Sequence, residues 1–179
     1  MKFAPTESYC NAIPPKLFLS RNVTFFFSVM TVVEQIFNAS DLGSQYNNYR
    51  QDTLTLKWED RRHGHGRRRS DGGLEFGISL PSGTVLKEGD CMVLAEEHAI
   101  VKVREASEPV YIVRPKTPQE WAYYAYQIGN RHQQVMIGDT ELIFLRDPAV
   151  RSLLEQLHVH FETSERPFTG ALAAAGHSH

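Results

Sequence analysis

The chain has 179 residues, 41% hydrophobic and 22% charged, a balance that argues against wholesale disorder and against collagen-like sequence. Its 19 basic and 21 acidic residues leave a net charge of −2, which disfavours a polycationic nucleic-acid binder and leaves only a local basic patch open. Two cysteines, Cys10 and Cys91, make neither a disulfide framework nor a thiolate zinc site, and point to a reducing compartment.

In chain order, residues 1–29 differ from the rest. Pro5, Pro14 and Pro15 interrupt a stretch with no helical or strand period. The apolar run that follows, Phe25-Phe26-Phe27 continuing through Val33, is far shorter than the ~20 residues a membrane span needs. Lys16 and Arg21 before it resemble the charged flank of a signal peptide, but no small-residue cleavage site follows closely. We read 1–29 as an extension that contributes little to the fold, with Met30 as an alternative start and residues 31–36 as a first strand.

From residue 30 to 107 the pattern is short and alternating. Leu54, Leu56 and Trp58 fall on one face of a strand; Phe76, Ile78 and Leu80 do the same in 74–80. Residues 91–94 and 100–103 are two further runs. Asp71-Gly72-Gly73, Pro81-Ser82-Gly83 and Glu88-Gly89-Asp90 between them are turn chemistry. The spacing predicts a small β-rich barrel or sandwich without a helix of useful length.

At Glu108-Pro109 the pattern changes. Residues 110–114 read as a strand. Thr117-Pro118-Gln119-Glu120 then opens a helix with a capping box and proline at its first position. Trp121, Tyr124, Ala125 and Ile128 form its apolar stripe. Two strands, 135–137 and 141–145, flank Gly138-Asp139. Asp147-Pro148 opens a second helix with the stripe Val150, Leu153, Leu154 and Leu157, and residues 158–162 read as a last strand. The order βαββαβ predicts a ferredoxin-like domain over 108–166, so the fold class is α+β. Residues 167–179, rich in Ala and Gly, read as a mobile tail.

Eight histidines occur, six of them in His-x-His pairs: His63/His65, His158/His160 and His177/His179. Imidazole suits Zn, Cu, Fe and Ni. The bland alternative is solvated surface. Gly-x-Ser-x-Gly, His-Glu-x-x-His and a phosphate-cradling loop are all missing, which lowers the expectation of an enzyme. The run from Arg61 to Arg69 carries five arginines and no acid. It suits an anionic partner, or a solvated loop running into a strand whose arginines pair with Glu59, Asp60 or Glu75; the second is favoured, since the aromatic signature of an RNA-binding sheet is missing. Its positive charge also discounts His63 and His65 as ligands. His132 ends the segment Gly129-Asn130-Arg131-His132. As one imidazole it cannot hold a borderline metal ion, and surface or capping roles stay open. In an isologous dimer the residue arrives twice, and His177 and His179 could add further nitrogen ligands. His158 and His160, two apart on the expected strand, would share a face, with Val159 and Phe161 inward, at solvent or a subunit boundary.

These segments resemble the UreE family of urease accessory proteins over about residues 30–179. The resemblance is carried by Thr53-Leu54-Thr55-Leu56 with Trp58-Glu59 and Arg61, by Leu80-Pro81-Ser82-Gly83-Thr84-Val85-Leu86 with Gly89-Asp90, by Glu108-Pro109-Val110, and most specifically by the segment from Ala125 through Gly129-Asn130-Arg131-His132. It implies a β-rich peptide- or partner-binding domain, a ferredoxin-like domain that dimerises and binds metal, and delivery of Ni(II) as cargo to apo-urease with the GTPase UreG. The interface metal histidine corresponds to His132, and the C-terminal ligands to His177 and His179. A long His-rich tail, common in the family, is replaced here by Gly176-His177-Ser178-His179, which implies one or two ions per dimer. Relatives with histidines just before the last helix have no counterpart in 144–148, where His158 and His160 are the candidate substitutes. The expected protein is a cytoplasmic homodimer without catalytic turnover, with Zn(II) as a second cargo. A metal buffer or sensor, and a basic-loop RNA-binding module, are the alternative readings.

Overall fold

A computed structural model describes residues 30–170. The expectations for 1–29, Cys10, His177 and His179 lie outside the described residues.

The N-terminal half is built on two three-stranded sheets. β1 (Val32–Val33), β4 (Glu75–Ser79) and β3 (His65–Arg69) form one, in the order β1-β4-β3. β2 (Arg50–Leu56), β6 (Ala99–Glu105) and β5 (Cys91–Leu94) form the other, in the order β2-β6-β5. Period-two alternation turns Leu54 and Leu56 of β2, Phe76 and Ile78 of β4, and Val101 and Val103 of β6 into one core with Leu80, Leu86, Met92 and Leu94. This is the expected sandwich-like body. The pairing of β2 with β6 is parallel, from Arg50 opposite Ala99 to Leu56 opposite Glu105.

Local expectations change in three places. The first strand is confined to Val32–Val33, with Phe37 bridging Cys91 separately. Trp58 does not extend β2; it opens a single helical turn, α1 (Trp58–Arg61), and lies 1% exposed against the other half of the chain. The arginine-rich run leads from a turn into a strand, as expected, but it is not solvated throughout. Arg61 is buried, and His65–Arg69 is the edge strand β3. Its other arginines are partly neutralised as expected, with Arg67 paired to Glu75 and Arg62 to Glu59. Charged side chains on such an edge oppose unwanted strand pairing.

The C-terminal half runs β7 (Ser107–Val113), α2 (Pro118–Gly129), β8 (Met136–Ile137), β9 (Leu142–Leu145), α3 (Pro148–Gln156) and β10 (Phe161–Pro167). The sheet order β10-β7-β9-β8, antiparallel throughout, is the ferredoxin-like arrangement, so the fold is α+β as expected. Both helices start where their caps predict. Thr117 Oγ1 accepts the Glu120 N–H at 3.2 Å, and Asp147 accepts the Ala149 N–H at 2.7 Å. The reciprocal arm of the first cap differs: Glu120 accepts from the Lys116 N–H at 2.6 Å. Both helical stripes pack with Tyr111, Val113, Leu142 and Phe144 on one face of the sheet.

The last strand is displaced from 158–162 to Phe161–Pro167. The reason is the end of α3. His158 adopts φ = 52°, its N–H bonds the Glu155 carbonyl at 3.1 Å, and the Val159 N–H bonds the Leu154 carbonyl at 3.0 Å. This is a Schellman closure with histidine where glycine is usual, sealed by buried Val159 on buried Leu154. The chain therefore turns before it extends. Pro167, expected in the tail, completes the ladder opposite Ser107, and Phe168 and Gly170 are buried beyond it.

The sheet's other face is not solvated. Val110, Ile112 and Ile143 cluster there with Trp58 and Phe168, and Val85, Met136 and Leu145 pack around them. The unbroken run from Val110 to Val113 is apolar because both of its faces are covered. Trp58 fastens this junction. Its backbone N–H donates to the buried Glu108 carboxylate at 2.7 Å, and its indole N–H donates to Gln134.

Candidate metal centre

His132 stands beyond the C-terminal end of α2. The Asn130 N–H bonds the Tyr126 carbonyl, the Arg131 N–H bonds Ile128, and the His132 N–H bonds Gly129 at 2.9 Å. The helix thus winds on for three residues until His132 leaves it at φ = 54°. His132 itself is exposed. The outward face leading to it carries Ala122, Tyr123, Tyr126 and Gly129, all exposed and none charged, with Tyr126 at 65% exposure. Edge strand β8 adds Ile137 at 61%. Gly129 has an ordinary negative φ, and a Cβ built there would meet nothing within 4 Å. No neighbour among the described residues therefore requires glycine at this position.

His158 and His160 are both exposed, and Val159 is inward as expected. The ladder register decides where they stand. Phe161 lies opposite Val113, at the end of β7 from which α2 starts. α2 then runs back for 12 residues, about 18 Å at ~1.5 Å per residue, before His132 is reached. One chain thus holds His132 and the His158/His160 pair at opposite ends of its sheet. The carboxylates near His160 serve other partners: Arg114 bonds Glu162 at 2.6 Å and Glu141 at 3.2 Å. The Arg114 hydrogen bond, with its charge, holds the Glu162 carboxyl below its ordinary range, and His160 acts in the same direction. Among the described residues no group of three or more His, Cys, Asp or Glu could hold a metal ion.

β10 then carries the chain back. Its seven residues, about 24 Å at ~3.4 Å per residue, run from the His160 end to Pro167, opposite Ser107 at the His132 end. A Cβ built on Gly170 would lie 2.7 Å from Gln134 Oε1, so the backbone there passes against a residue two positions from His132. His63 is used locally, its Nδ1 within 2.7 Å of the Glu59 carbonyl oxygen. Cys91 is buried, which pushes its thiol up from the ordinary value and away from the thiolate form metals need.

Sequence reasoning missed Arg61, Gln134 and Gly170 as companions of this end of the molecule. Arg61 lay within the basic run and carried no sign of burial. Its one legible signal was its spacing from Trp58, three residues on, which places both on one face of a helical turn.

Two family models match the chain: the UreE urease accessory protein N-terminal domain over residues 33–104, and the UreE urease accessory protein C-terminal domain over 108–179. A urease accessory protein UreE from Lysinibacillus sphaericus (strain C3-41) is 29% identical over 148 residues, covering 83% of this chain and 99% of its own length. One from Chelativorans sp. (strain BNC1) is 36% identical over 134 residues, 72% of this chain and 84% of that protein. One from Burkholderia ambifaria is 36% identical over 130 residues, 73% of this chain and 64% of that protein, which is longer.

Proposed function

The chain belongs to the UreE family of urease accessory proteins, and on that premise we propose that it is a nickel metallochaperone of urease maturation. In this reading the protein is a cytoplasmic homodimer without catalytic turnover. It carries Ni(II) as cargo between two copies of His132 and delivers it for assembly of the urease active site, with the GTPase UreG and apo-urease as partners. Zn(II), which also takes imidazole ligands, is a competing cargo.

The observation that carries the reading is the setting of His132. It is exposed, adopts the left-handed region at the end of an uncharged, tyrosine-bearing helix face, and belongs to no group of three or more potential ligands among the described residues. One imidazole cannot retain a borderline ion, whereas a two-fold axis supplies two and an uncharged face supplies contact area. β10 returns the chain to the same end, which favours His177 and His179 as the remaining ligands. His158 and His160 stand about 18 Å away along α2 and suit a second, weaker ion. Few and exposed ligands favour release, as a carrier requires.

The test is calorimetric nickel titration of the parent and His132→Ala, with sedimentation to give the oligomeric state. One tight ion per dimer, lost in the variant, is expected. Nickel binding indifferent to His132 would overturn the shared site. Metal-dependent assembly without association with UreG would favour a metal buffer or sensor instead.

A further inference from the structure

Tyr111 is 5% exposed, with its ring edge-on to Phe161 at 5.0 Å between centres in the core that α3 covers. A phenol buried to that degree ordinarily finds a hydrogen-bond partner. Among the described residues the Tyr111 hydroxyl has none, yet it is not sealed off; the side-chain atoms there that are both sealed and unpartnered are Arg61 Nε and Arg68 Nε. Tyr111 opens instead into a hollow of about 370 Å³ that it lines with Arg146, Asp147, Pro148 and Arg151, at the start of α3. Two guanidinium groups border this hollow. Arg151 spends only Nε, which donates to Glu155 Oε1 at 2.8 Å. Arg146 is exposed and meets no carboxylate among the described residues, whereas Arg50, Arg67, Arg114 and Arg166 each pair with one. Glu155, by hydrogen bond and charge, and then the Tyr111 hydroxyl hold the Arg151 guanidinium above its ordinary value, so phenol and cation are neighbours. The acid in the lining is engaged: Asp147 Oδ1 accepts the Ala149 N–H at 2.7 Å and the Val150 N–H at 3.4 Å. Glu165, opposite Pro109 and so on the Tyr111 face, does not line the hollow. Two positive charges thus face one spent negative charge, at the positive end of a nine-residue helix.

We propose that this hollow is a binding site for a phosphate group, with Arg146, Arg151 and the Tyr111 hydroxyl as its donors. Each donor reaches it from a different place: Tyr111 from β7, Arg146 from the residue before the helix cap, and Arg151 from the first turn of α3. Guanidinium groups recognise oxyanions through charge-assisted hydrogen bonds, and the buried phenol gains the partner it lacks. A phosphate monoester offers three free oxygens to three donor groups, where a carboxylate offers two. That count favours phosphate. The volume exceeds what one phosphate fills and lies at the small end of ligand pockets, which admits either free phosphate or the phosphate monoester of a small molecule. The site lies within the C-terminal half, shares no residue with the nickel reading and needs no metal, so either can fail without the other.

The experiment is a titration of the nitrogen-15-labelled full chain, without nickel, followed by amide chemical shifts. Inorganic phosphate, glycerol phosphate and acetate are each added at ionic strength held constant with chloride, which removes general screening. Phosphate should move the amides of residues 146–151 and 111 along saturable curves and leave the N-terminal half unmoved. Tyr111→Phe keeps the ring against Phe161 and removes only the hydroxyl; it should weaken phosphate binding about ten-fold. Arg146→Gln with Arg151→Gln, both at exposed positions, should abolish saturation. Tighter binding of glycerol phosphate than of phosphate supports the site and assigns it to a small-molecule ester; equal binding supports it and assigns free phosphate. Shifts that do not saturate, or that are spread over the whole chain, overturn the proposal. So does phosphate binding indifferent to Tyr111→Phe or to loss of both arginines, and so does acetate binding as tightly as phosphate.

Discussion

Truncating Phe168 to alanine probes whether the two halves of the chain are one cooperative structure. The ring is fully buried and packs with Trp58, Val110, Ile112 and Ile143 on the sheet face opposite the helices. Emptying such a site costs about 3–5 kcal/mol, including the lost edge-to-face aromatic contact of ~0.5–1.5 kcal/mol. Phe168 is one residue past the last ladder pair, Pro167 opposite Ser107, so the chain can relax there and the lower end, about 3 kcal/mol, is expected. With a urea m-value near 2 kcal/mol/M, the midpoint should fall by about 1.5 M. Urea titration followed by tryptophan fluorescence in a Trp121→Phe background reads this directly, since Trp58 lines the vacated space. Far-UV circular dichroism in parallel reads the β-rich and ferredoxin-like bodies together. In the parent the two signals should coincide; in Phe168→Ala the fluorescence transition should come first. A midpoint moved by less than about 0.3 M at unchanged m would refute the reasoning, because a shared buried cluster cannot lose one of its two buried rings without consequence.

Nickel affinity should decline on acidification, because imidazole must be neutral to ligate; nickel titrations at a series of pH values check it, and a flat profile would exclude histidine ligands. His158→Gly should raise stability by about 1 kcal/mol, relieving a left-handed histidine, and leave the His132 ion in place; thermal unfolding and nickel titration check the two halves of this expectation. Gly129→Ala should stabilise the isolated chain by about 0.5–1 kcal/mol through helix propensity, while sedimentation shows weaker self-association as the new methyl enters the uncharged face. Asp71 accepts from Thr53 Oγ1 at 2.6 Å and Thr55 Oγ1 at 2.7 Å, and the Thr53 bond, opposed by burial, leads in holding its carboxyl below the ordinary 3.8. A lowered folded-state pKa stabilises above the unfolded value and is lost as pH falls through the folded one. Asp71→Asn should therefore flatten the acid side of the stability profile, read from urea midpoints between about pH 5 and about pH 2.

Much of the C-terminal half was legible because its signals are local. Thr117-Pro118 and Asp147-Pro148 cap their helices through oxygen atoms two or three residues from the N–H groups they satisfy. The stripes of α2 and α3 follow from the helical period, and one order of elements then suffices for the sheet. The candidate site was legible in its residue types, with His132 closing a distinctive four-residue segment. The start of β10 was not, since a Schellman turn normally announces itself by glycine and here uses His158. Nor could the pairing of His158 with His160 on one strand survive that turn.

The sequence by itself determined the alternation that makes a β-rich half, the capped amphipathic helices of the other, and the histidines available to a metal. Those properties depend on neighbours within a few positions, where dihedral preference and side-chain period act. Only the tertiary structure decided which histidines share an end of the sheet, that β2 runs parallel to β6, and that Trp58 and Arg61 reach from the β-rich body to Phe168 and Thr169. Each of these joins residues dozens of positions apart. A buried cation or a two-faced apolar strand acquires its meaning only from what the folded chain brings against it.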